Sequence, residues 1–234
     1  MARSLQFLVL GITGLAAAKT TCSEKATSAT PTPQLSCTTS SNFRLVADVI
    51  SGDLAPSIQD WAVSSYHIGA CYDYAILQPN DGSSPDYSRA FYVNGTAADA
   101  RDKTSDIITD GATPPVPYGV IIPSANETDQ DDRRPVQINC GYGTAGVVVS
   151  RGSSMKPHLR YVDKTADTRF GGWYACDSDL PYGPAVVLYY RDREEAIPEE
   201  CAELTLYTQC IEHVSTVDDN ARPAPCEEII EDED

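Results

Sequence analysis

A histidine between two β-prone segments is the first candidate for chemistry. His67 follows the hydroxyl residues Ser64 and Ser65 closely, and the other two histidines are His158 and His213. A serine nucleophile needs a general base that is itself oriented by an acidic residue. No nucleophile elbow surrounds either serine, and the sequence assigns no acidic partner to His67. Because the three histidines are also dispersed, we predict a structural or surface role for His67 and neither a metal site nor a cofactor.

Three glycines after a predicted strand reproduce a nucleotide-binding spacing. Gly141, Gly143 and Gly146 form G-x-G-x-x-G, which binds a pyrophosphate only where a helix begins after the glycines. The residues that follow, 147–149, are three valines, which favour a strand. The pattern therefore predicts a glycine-rich turn between strands.

Acidic residues are abundant, but none has the spacing of a catalytic or calcium-binding motif. Asp129, Asp131 and Asp132 lack the glycine and the distal glutamate of a calcium loop, and Arg133 and Arg134 follow them directly. We predict a solvated loop there. A glycosidase needs two carboxylates roughly 5 to 9 Å apart, and with 34 acidic residues the sequence singles out no pair. We therefore predict no catalytic residue.

Aromatic residues are the stronger candidates for binding. The chain has 13 tyrosines, several of them adjacent to another aromatic residue, and flat aromatic rings suit sugar rings. Tyrosine is also a good strand former, so its enrichment is equally compatible with a purely structural role. The candidate ligand-binding residues are Tyr72, Tyr74, Trp173, Tyr174 and Tyr189.

The N-terminus indicates secretion. Arg3 is followed by an apolar run over 5–15 and by three alanines at 16–18, so residues 1–18 are predicted to be a signal peptide. The apolar run is shorter than the roughly 20 residues of a membrane span. Residues 19–41 are rich in Ser, Thr and Pro and are predicted to be a linker or an O-glycosylated arm. We expect a secreted protein, extracellular or in the cell wall.

The net charge narrows the range of partners. The chain has 17 basic and 34 acidic residues and a formal charge of −17. Nucleic acid and anionic membrane surfaces require a basic face, so neither is an expected partner. A glycan or an extracellular protein remains possible as a ligand, and the oligomeric state stays open.

Cysteines and glycosylation sequons agree with an oxidising compartment. The eight cysteines are an even number with no C-x-x-C spacing, which predicts disulfides and argues against a zinc ribbon or a redox site. Cys22 and Cys37 could close a small loop in the arm, or either could reach the main domain. Asn94 and Asn126 each begin an N-glycosylation sequon.

Short β-prone segments separated by turn residues fill residues 42–210. This pattern predicts a single, disulfide-stapled all-β domain, an antiparallel β-sandwich or barrel of about ten short strands, with at most short helices at 57–64 and 95–103. Residues 211–234 are predicted to be an extension pinned by Cys226, with an acidic tail. The predicted strands are 43–50, 61–66, 71–77, 88–93, 105–109, 118–122, 135–140, 146–150, 172–176, 185–190 and 202–208.

Six separated motifs lie between residues 42 and 226: N-F-R-L-V-A-D-V, S-S-Y-H-I-G-A, R-A-F-Y-V-N-G-T-A, P-P-V-P-Y-G-V, G-G-W-Y-A-C-D and I-P-E-E-C-A-E-L-T-L. Together they resemble a family of small secreted ascomycete proteins that carry a domain of unknown function. The resemblance implies a β-rich domain and transfers no catalytic residue. It also implies that Cys71 pairs with Cys140 as an extra disulfide, and that the family's common cysteines are Cys176, Cys201, Cys210 and Cys226.

The sequence thus favours a secreted, non-enzymatic fungal glycoprotein that acts at the cell wall or in the host-facing medium. A tyrosine-rich β surface would bind a glycan or a protein. Two alternatives remain open. One is a small secreted hydrolase that acts on polysaccharide or peptide, and the other is a structural component of the wall.

Overall fold

The computed structural model describes residues 37–80, 89–151, 155–162, 171–212, 216 and 218–228, and of Cys37 only the backbone. All of these residues belong to one compact unit. The predicted signal peptide, most of the predicted arm, Cys22, the side chain of Cys37, His213 and the acidic tail lie outside the described residues.

The described residues form an all-β fold, as predicted. Sixteen strands are present within the described ranges, more than the ten or so expected, and each predicted segment overlaps a strand. The additional strands are two to four residues long and include the C-terminal pair. The strands are β1 (Cys37–Ser40), β2 (Phe43–Ser51), β3 (Ala62–Gly69), β4 (Tyr72–Gln78), β5 (Phe91–Asn94), β6 (Asp106–Gly111), β7 (Val116–Ile121), β8 (Arg134–Pro135), β9 (Gln137–Cys140), β10 (Val147–Ser150), β11 (His158–Tyr161), β12 (Gly172–Leu180), β13 (Gly183–Arg191), β14 (Ala202–Cys210), β15 (Ala221–Arg222) and β16 (Ala224–Glu227).

One of the two predicted helices is confirmed. Helix α1 (Ala97–Asp102) begins with a capping box between Thr96 and Asp99 and ends at Lys103, which has the left-handed conformation. It is the only helix in the described part of the chain, and it lacks the length and apolar composition needed to cross a membrane.

The helix predicted at 57–64 is wrong. The Asp53 carboxylate accepts the backbone N–H groups of Leu54 and Ile58, as well as the hydroxyl of Ser57. These side-chain bonds offer the backbone a turn instead of a helix. Strand β3 then begins at Ala62.

The strands form one continuous hydrogen-bonded sheet that folds back on itself. Two long hairpins, β3–β4 and β12–β13, provide its centre, and β13 pairs with β4 between them. Additional pairings join β2 to β14 and β4 to β9. All pairings are antiparallel except a single parallel contact between Gln209 of β14 and Glu227 of β16, so the sheet is mixed rather than purely antiparallel.

Two main hydrophobic clusters give the fold a sandwich-like core, and Val46, Ala62 and Tyr207 form a third, minor one. The larger cluster includes Phe43, Phe91, Ile107 and Leu188, and the smaller one is built around Tyr174, Tyr189 and the cysteines of β12 and its neighbouring loop. Alternation along β4 explains the division: Ala75 and Leu77 pack into the larger cluster, while Ile76 points to the smaller one.

Three disulfides tie the described strands together. The structure pairs Cys71 with Cys140, the pairing that the family resemblance implies, and so joins the start of β4 to the end of β9. A second disulfide is buried in the smaller cluster, and a third fixes β16 to β14. These two pairs are Cys176 with Cys201 and Cys210 with Cys226.

Candidate functional site

Tyrosines line one face of the β3–β4 hairpin. Tyr66 of β3 lies directly opposite Tyr74 of β4, and Tyr72 lies two residues from Tyr74, so all three side chains project from the same face. The rings of Tyr72 and Tyr74 meet edge to face with their centroids 5.6 Å apart. All three residues are partly exposed. We call Tyr66, Tyr72 and Tyr74 the aromatic row.

The phenol of Tyr72 in the aromatic row is uncharged. Burial raises the pKa of the Tyr72 phenol well above its usual value, and the neighbouring Tyr74 adds to this effect. The hydroxyl group of Tyr72 therefore remains protonated at any physiological pH and can still donate a hydrogen bond.

The β12–β13 turn brings a fourth tyrosine to this face. The hydroxyl of Tyr66 accepts the backbone N–H of Tyr182 at 2.7 Å and donates to the carbonyl of Gly183 at 3.2 Å. The two tyrosine rings are stacked with centroids 6.3 Å apart. Gly183 has a φ of 125°, which a residue with a side chain rarely adopts. Tyr182 is 75% exposed and so extends the aromatic surface into solvent.

A groove of about 310 Å³ continues from Tyr66 along the junction of β4 and β13. Its walls include Trp61, Tyr66, Gln78, Asp177 and Pro184, and we call it the aromatic groove. The Oε1 atom of Gln78 is buried and has no hydrogen-bond partner among the described residues. An unpaired buried acceptor costs about 1 to 3 kcal/mol, so a ligand hydroxyl that bonds to it would be favoured.

The aromatic groove has the two features that a sugar-binding site needs. Trp61 and Tyr66 supply aromatic surface for the apolar face of a sugar ring. Gln78 and the exposed carboxylate of Asp177 supply acceptors for its hydroxyl groups. A few placed polar groups in a mostly apolar cleft are typical of ligand sites.

Comparison with known sequences places the chain in a family. The profile of a family described as a domain of unknown function, DUF7907, matches residues 40–210, which contain the aromatic row and the aromatic groove. The chain belongs to the DUF7907 family. Over 183 residues, this DUF7907 protein is 32% identical to antigenic protein SchS34 of Stachybotrys chartarum, covering 74% of this chain and 77% of that relative. No solved structure gives a significant match. The resemblance to a fungal family of unknown function is confirmed.

Three of the predicted ligand-binding residues are buried in the core. Trp173, Tyr174 and Tyr189 are between 2% and 5% exposed. The rings of Tyr174 and Tyr189 stack on each other, and the hydroxyl of Tyr189 donates to Asp129. The prediction of an exposed aromatic face therefore does not hold for these three residues, because packing within the core uses their rings. Tyr72 and Tyr74 remain candidates.

Sequence reasoning missed most of the aromatic groove. Trp61, Gln78 and Asp177 come from three separate segments of the DUF7907 protein. Tyr66 could have been found, because a hairpin between the predicted strands 61–66 and 71–77 brings it close to the known candidate Tyr74. Nothing in the sequence indicates that the side-chain oxygen of Gln78 is left unpaired.

His67 does have an acidic partner in the structure. Its Nδ1 atom lies 3.1 Å from Oδ1 of Asp73, whose side chain is 8% exposed, while that of His67 is 68% exposed. Arg89 donates to both Asp73 and the hydroxyl of Ser65. Ser65 is thus held by an arginine, and Ser64 is buried. The pair of His67 and Asp73 could orient a base, but neither serine is placed as a nucleophile.

The acidic loop is exposed at Asp131 and Asp132, as predicted, whereas Asp129 is half-buried and packs against the smaller cluster. Asp129 accepts the backbone N–H groups of Asp131 and Arg133 and also binds Tyr189, while the Arg133 guanidinium lies over the Tyr189 ring. Among the described residues, no group of three or more His, Cys, Asp or Glu side chains could hold a metal ion.

The glycine-rich segment forms a turn followed by strand β10, as predicted. The backbone N–H of Gly143 donates to Asp106 at 2.6 Å, so this N–H group is already paired with a carboxylate. Asp106 also accepts the side-chain N–H of Asn94 at 2.9 Å. Asn94 is only 8% exposed, which argues against the predicted glycan there, whereas Asn126 is exposed in a loop.

Proposed function

We propose that this protein is a secreted, non-enzymatic binding protein of a fungus and that its aromatic groove holds a neutral glycan. The observation that carries the proposal is the joint presence in one groove of Trp61, Tyr66 and Gln78, whose side-chain oxygen is unpaired among the described residues. Three disulfides support an extracellular setting, since such bonds persist in oxidising compartments. The fungal relative is named as an antigenic protein.

The charge of the chain favours a neutral glycan over an acidic one. A formal charge of −17 repels polyanions that come close to the surface. Inside the groove, the Asp177 carboxylate would bind a hydroxyl group and would repel a carboxylate or a sulfate. Chitin, β-glucan and cellulose are therefore the appropriate probes.

A pull-down on these three insoluble polysaccharides tests the proposal, with the supernatant assayed for released sugar. We expect retention on at least one of them without release. Trp61→Ala and Tyr66→Ala should weaken retention about tenfold, because each removes aromatic contact area from the groove. Tyr142→Ala is the matched control, since Tyr142 is 65% exposed and does not line the groove. Absence of retention on all three polysaccharides would refute the proposal.

A hydrolase is the second candidate, and the hydrogen bond between His67 and Asp73 is the observation that favours it. A buried carboxylate that orients an exposed imidazole can make the latter a general base. Release of sugar or peptide products that disappears in His67→Gln and persists in Trp61→Ala would replace the binding proposal with this one. A purely structural role in the wall has no observation of its own among the described residues.

A further inference from the structure

A second cavity, of about 480 Å³, lies where β11, β12 and β14 meet. It shares no lining residue with the aromatic groove. Three arginines line it in a chain that has twice as many acidic as basic residues, and a single carboxylate faces them. We call it the basic cavity and define it by Arg160, Arg191, Arg193, Tyr161, Gly172 and Glu203.

Arg191 is the fixed centre of the basic cavity. One terminal nitrogen donates to the backbone carbonyls of Arg193 and Glu195, and the other donates to Glu203 at 2.8 Å. Its side chain is 18% exposed. The Nε atom is fully buried and has no hydrogen-bond partner among the described residues. A buried cationic donor without an acceptor is costly, so an incoming anionic oxygen would be strongly favoured at this atom.

Gly172 lies beside this donor. A Cβ atom placed on Gly172 would lie 3.6 Å from Nε of Arg191, in ordinary contact with it. Both residues line the cavity. A methyl group at residue 172 would therefore lie against the unpaired N–H group.

The remaining charges also favour an anion. Arg193 is exposed, and its side chain forms no hydrogen bond or ion pair with the described residues. Glu203 pairs with Arg191 and is the one carboxylate residue among the lining residues. At physiological ionic strength the Debye length is about 8 Å. Distant carboxylates of the acidic chain are therefore screened, whereas the cavity arginines would touch the ligand.

We propose that the basic cavity binds a small organic acid that contains a ring. The carboxylate of the acid lies against Nε of Arg191 and the guanidinium of Arg193, and its ring lies against Tyr161. Arginine matches the planar carboxylate better than lysine does. Tyr161 is partly exposed in the cavity wall, and its ring packs edge to face on Tyr190 with centroids 5.6 Å apart. The volume lies within the usual range of small-molecule sites.

Isothermal titration calorimetry of the full secreted protein tests this proposal. The probes are 4-hydroxycinnamate, an aromatic acid, and glucuronate, a sugar acid, each compared with its neutral counterpart, 4-hydroxycinnamyl alcohol or glucose. We expect at least one acid to bind with an affinity that falls as salt is added, and its neutral counterpart to bind at least tenfold more weakly. The acid that binds more tightly shows whether the ligand is an aromatic acid or a sugar acid. Equal binding of acid and neutral probe, or no binding of either acid at about 10 mM, would overturn the proposal.

Three variants separate a specific site from bulk charge. Arg193→Gln should weaken the better acid about tenfold, because it removes a charged donor. Gly172→Ala should weaken it as well, while leaving the net charge unchanged. Arg101→Gln is the matched control, because Arg101 is an exposed residue of α1 that does not line the cavity. An equal loss of affinity in Arg101→Gln, or full affinity in both cavity variants, would contradict the proposal. Thermal melting verifies that each variant is folded.

Discussion

Tyr66 and Tyr74 lie directly opposite each other on the β3–β4 hairpin, and the hydroxyl of Tyr66 also binds the turn that carries Tyr182. One side chain therefore joins the aromatic row to the tip of a second hairpin. The aromatic groove begins at this junction. We infer that the geometry of the groove depends on the Tyr66 hydroxyl as well as on the tyrosine ring.

Replacing Tyr66 with Phe should loosen this junction while keeping the ring. The change removes a hydroxyl that accepts the N–H of Tyr182 and donates to the carbonyl of Gly183. We expect a loss of about 2 kcal/mol in the free energy of unfolding, since each of the two hydrogen bonds contributes about 1 kcal/mol. Urea denaturation measures it. Tyr142→Phe, at an exposed site, is the control. An equal effect of both changes would show that the Tyr66 hydroxyl does not hold the turn.

Removing the disulfide between Cys176 and Cys201 should cost more stability than removing the one between Cys71 and Cys140. Cys176 and Cys201 are 25 residues apart, and Cys71 and Cys140 are 69 residues apart. Because it closes the longer loop, the disulfide between Cys71 and Cys140 stabilises the protein by only about 0.9 kcal/mol more. Cys176 and Cys201 are at most 3% exposed. Serine at each of these positions would bury a hydroxyl group at a cost of about 1 to 3 kcal/mol.

Urea denaturation of the two double-serine variants tests this order. We expect losses of about 2 to 5 kcal/mol in both cases, with the larger loss for the buried pair. The opposite order would mean that loop closure outweighs the burial of polar groups. Non-reducing peptide mapping of the native protein should first recover Cys71 linked to Cys140.

The stability contribution of Asp106 should depend on pH in the direction opposite to that of a salt-bridged aspartate. Burial raises the carboxyl pKa above the unfolded value of 3.8, against hydrogen bonds from Gly143 and Asn94 that lower it. The folded state therefore binds this proton more tightly than the unfolded state does. The resulting destabilisation is complete above the folded pKa and is lost as the pH falls towards 3.8.

The variant Asp106→Asn tests this sign. Any stability that the variant gains relative to the native protein should be largest at pH 7 and should shrink on acidification to pH 4. Denaturation at a series of pH values provides the measurement, with the exposed Asp102→Asn as control. A difference that stays constant, or that grows on acidification, would exclude a raised pKa at Asp106.

Glycosylation should occur at Asn126 and be absent or scarce at Asn94. The Nδ2 atom that would carry a glycan at Asn94 donates to Asp106 in a buried contact, whereas Asn126 is exposed. Mass spectrometry of peptides from protein expressed in a fungal host gives the occupancy of each sequon. Full occupancy at Asn94 would require a local structure different from the one described here.

The strands could be predicted from the sequence because alternation and β-branched residues have local causes. Strand β11 was missed, because its four residues, H-L-R-Y, are too few to show a clear alternation. The strand is defined by its pairing with β10. The helix predicted at 57–64 failed because Asp53, several residues earlier, binds the backbone of Ile58. Neither the strand order nor the parallel contact between Gln209 and Glu227 has a sequence signature.

The site was harder to predict than the fold, because exposure depends on segments that are distant in sequence. Tyr74 and Tyr189 are both strand tyrosines with an aromatic residue nearby. Tyr74 stays partly exposed, whereas Asp129 and Arg133, on a loop about sixty residues away in sequence from Tyr189, pack onto that ring. Composition can therefore identify aromatic candidates, but only the three-dimensional arrangement separates a binding face from a core.

Fluorescence titration with soluble oligosaccharides tests the glycan-binding groove most directly. The chain has two tryptophans: Trp61 in the groove, and Trp173, which is 4% exposed and donates its Nε1–H to Leu159. With hexasaccharides of chitin, β-glucan or cellulose, we predict a saturable change in emission for the native protein and none for Trp61→Phe. A saturable change that persists unaltered in Trp61→Phe, or the absence of any change with all three sugars, would contradict the account.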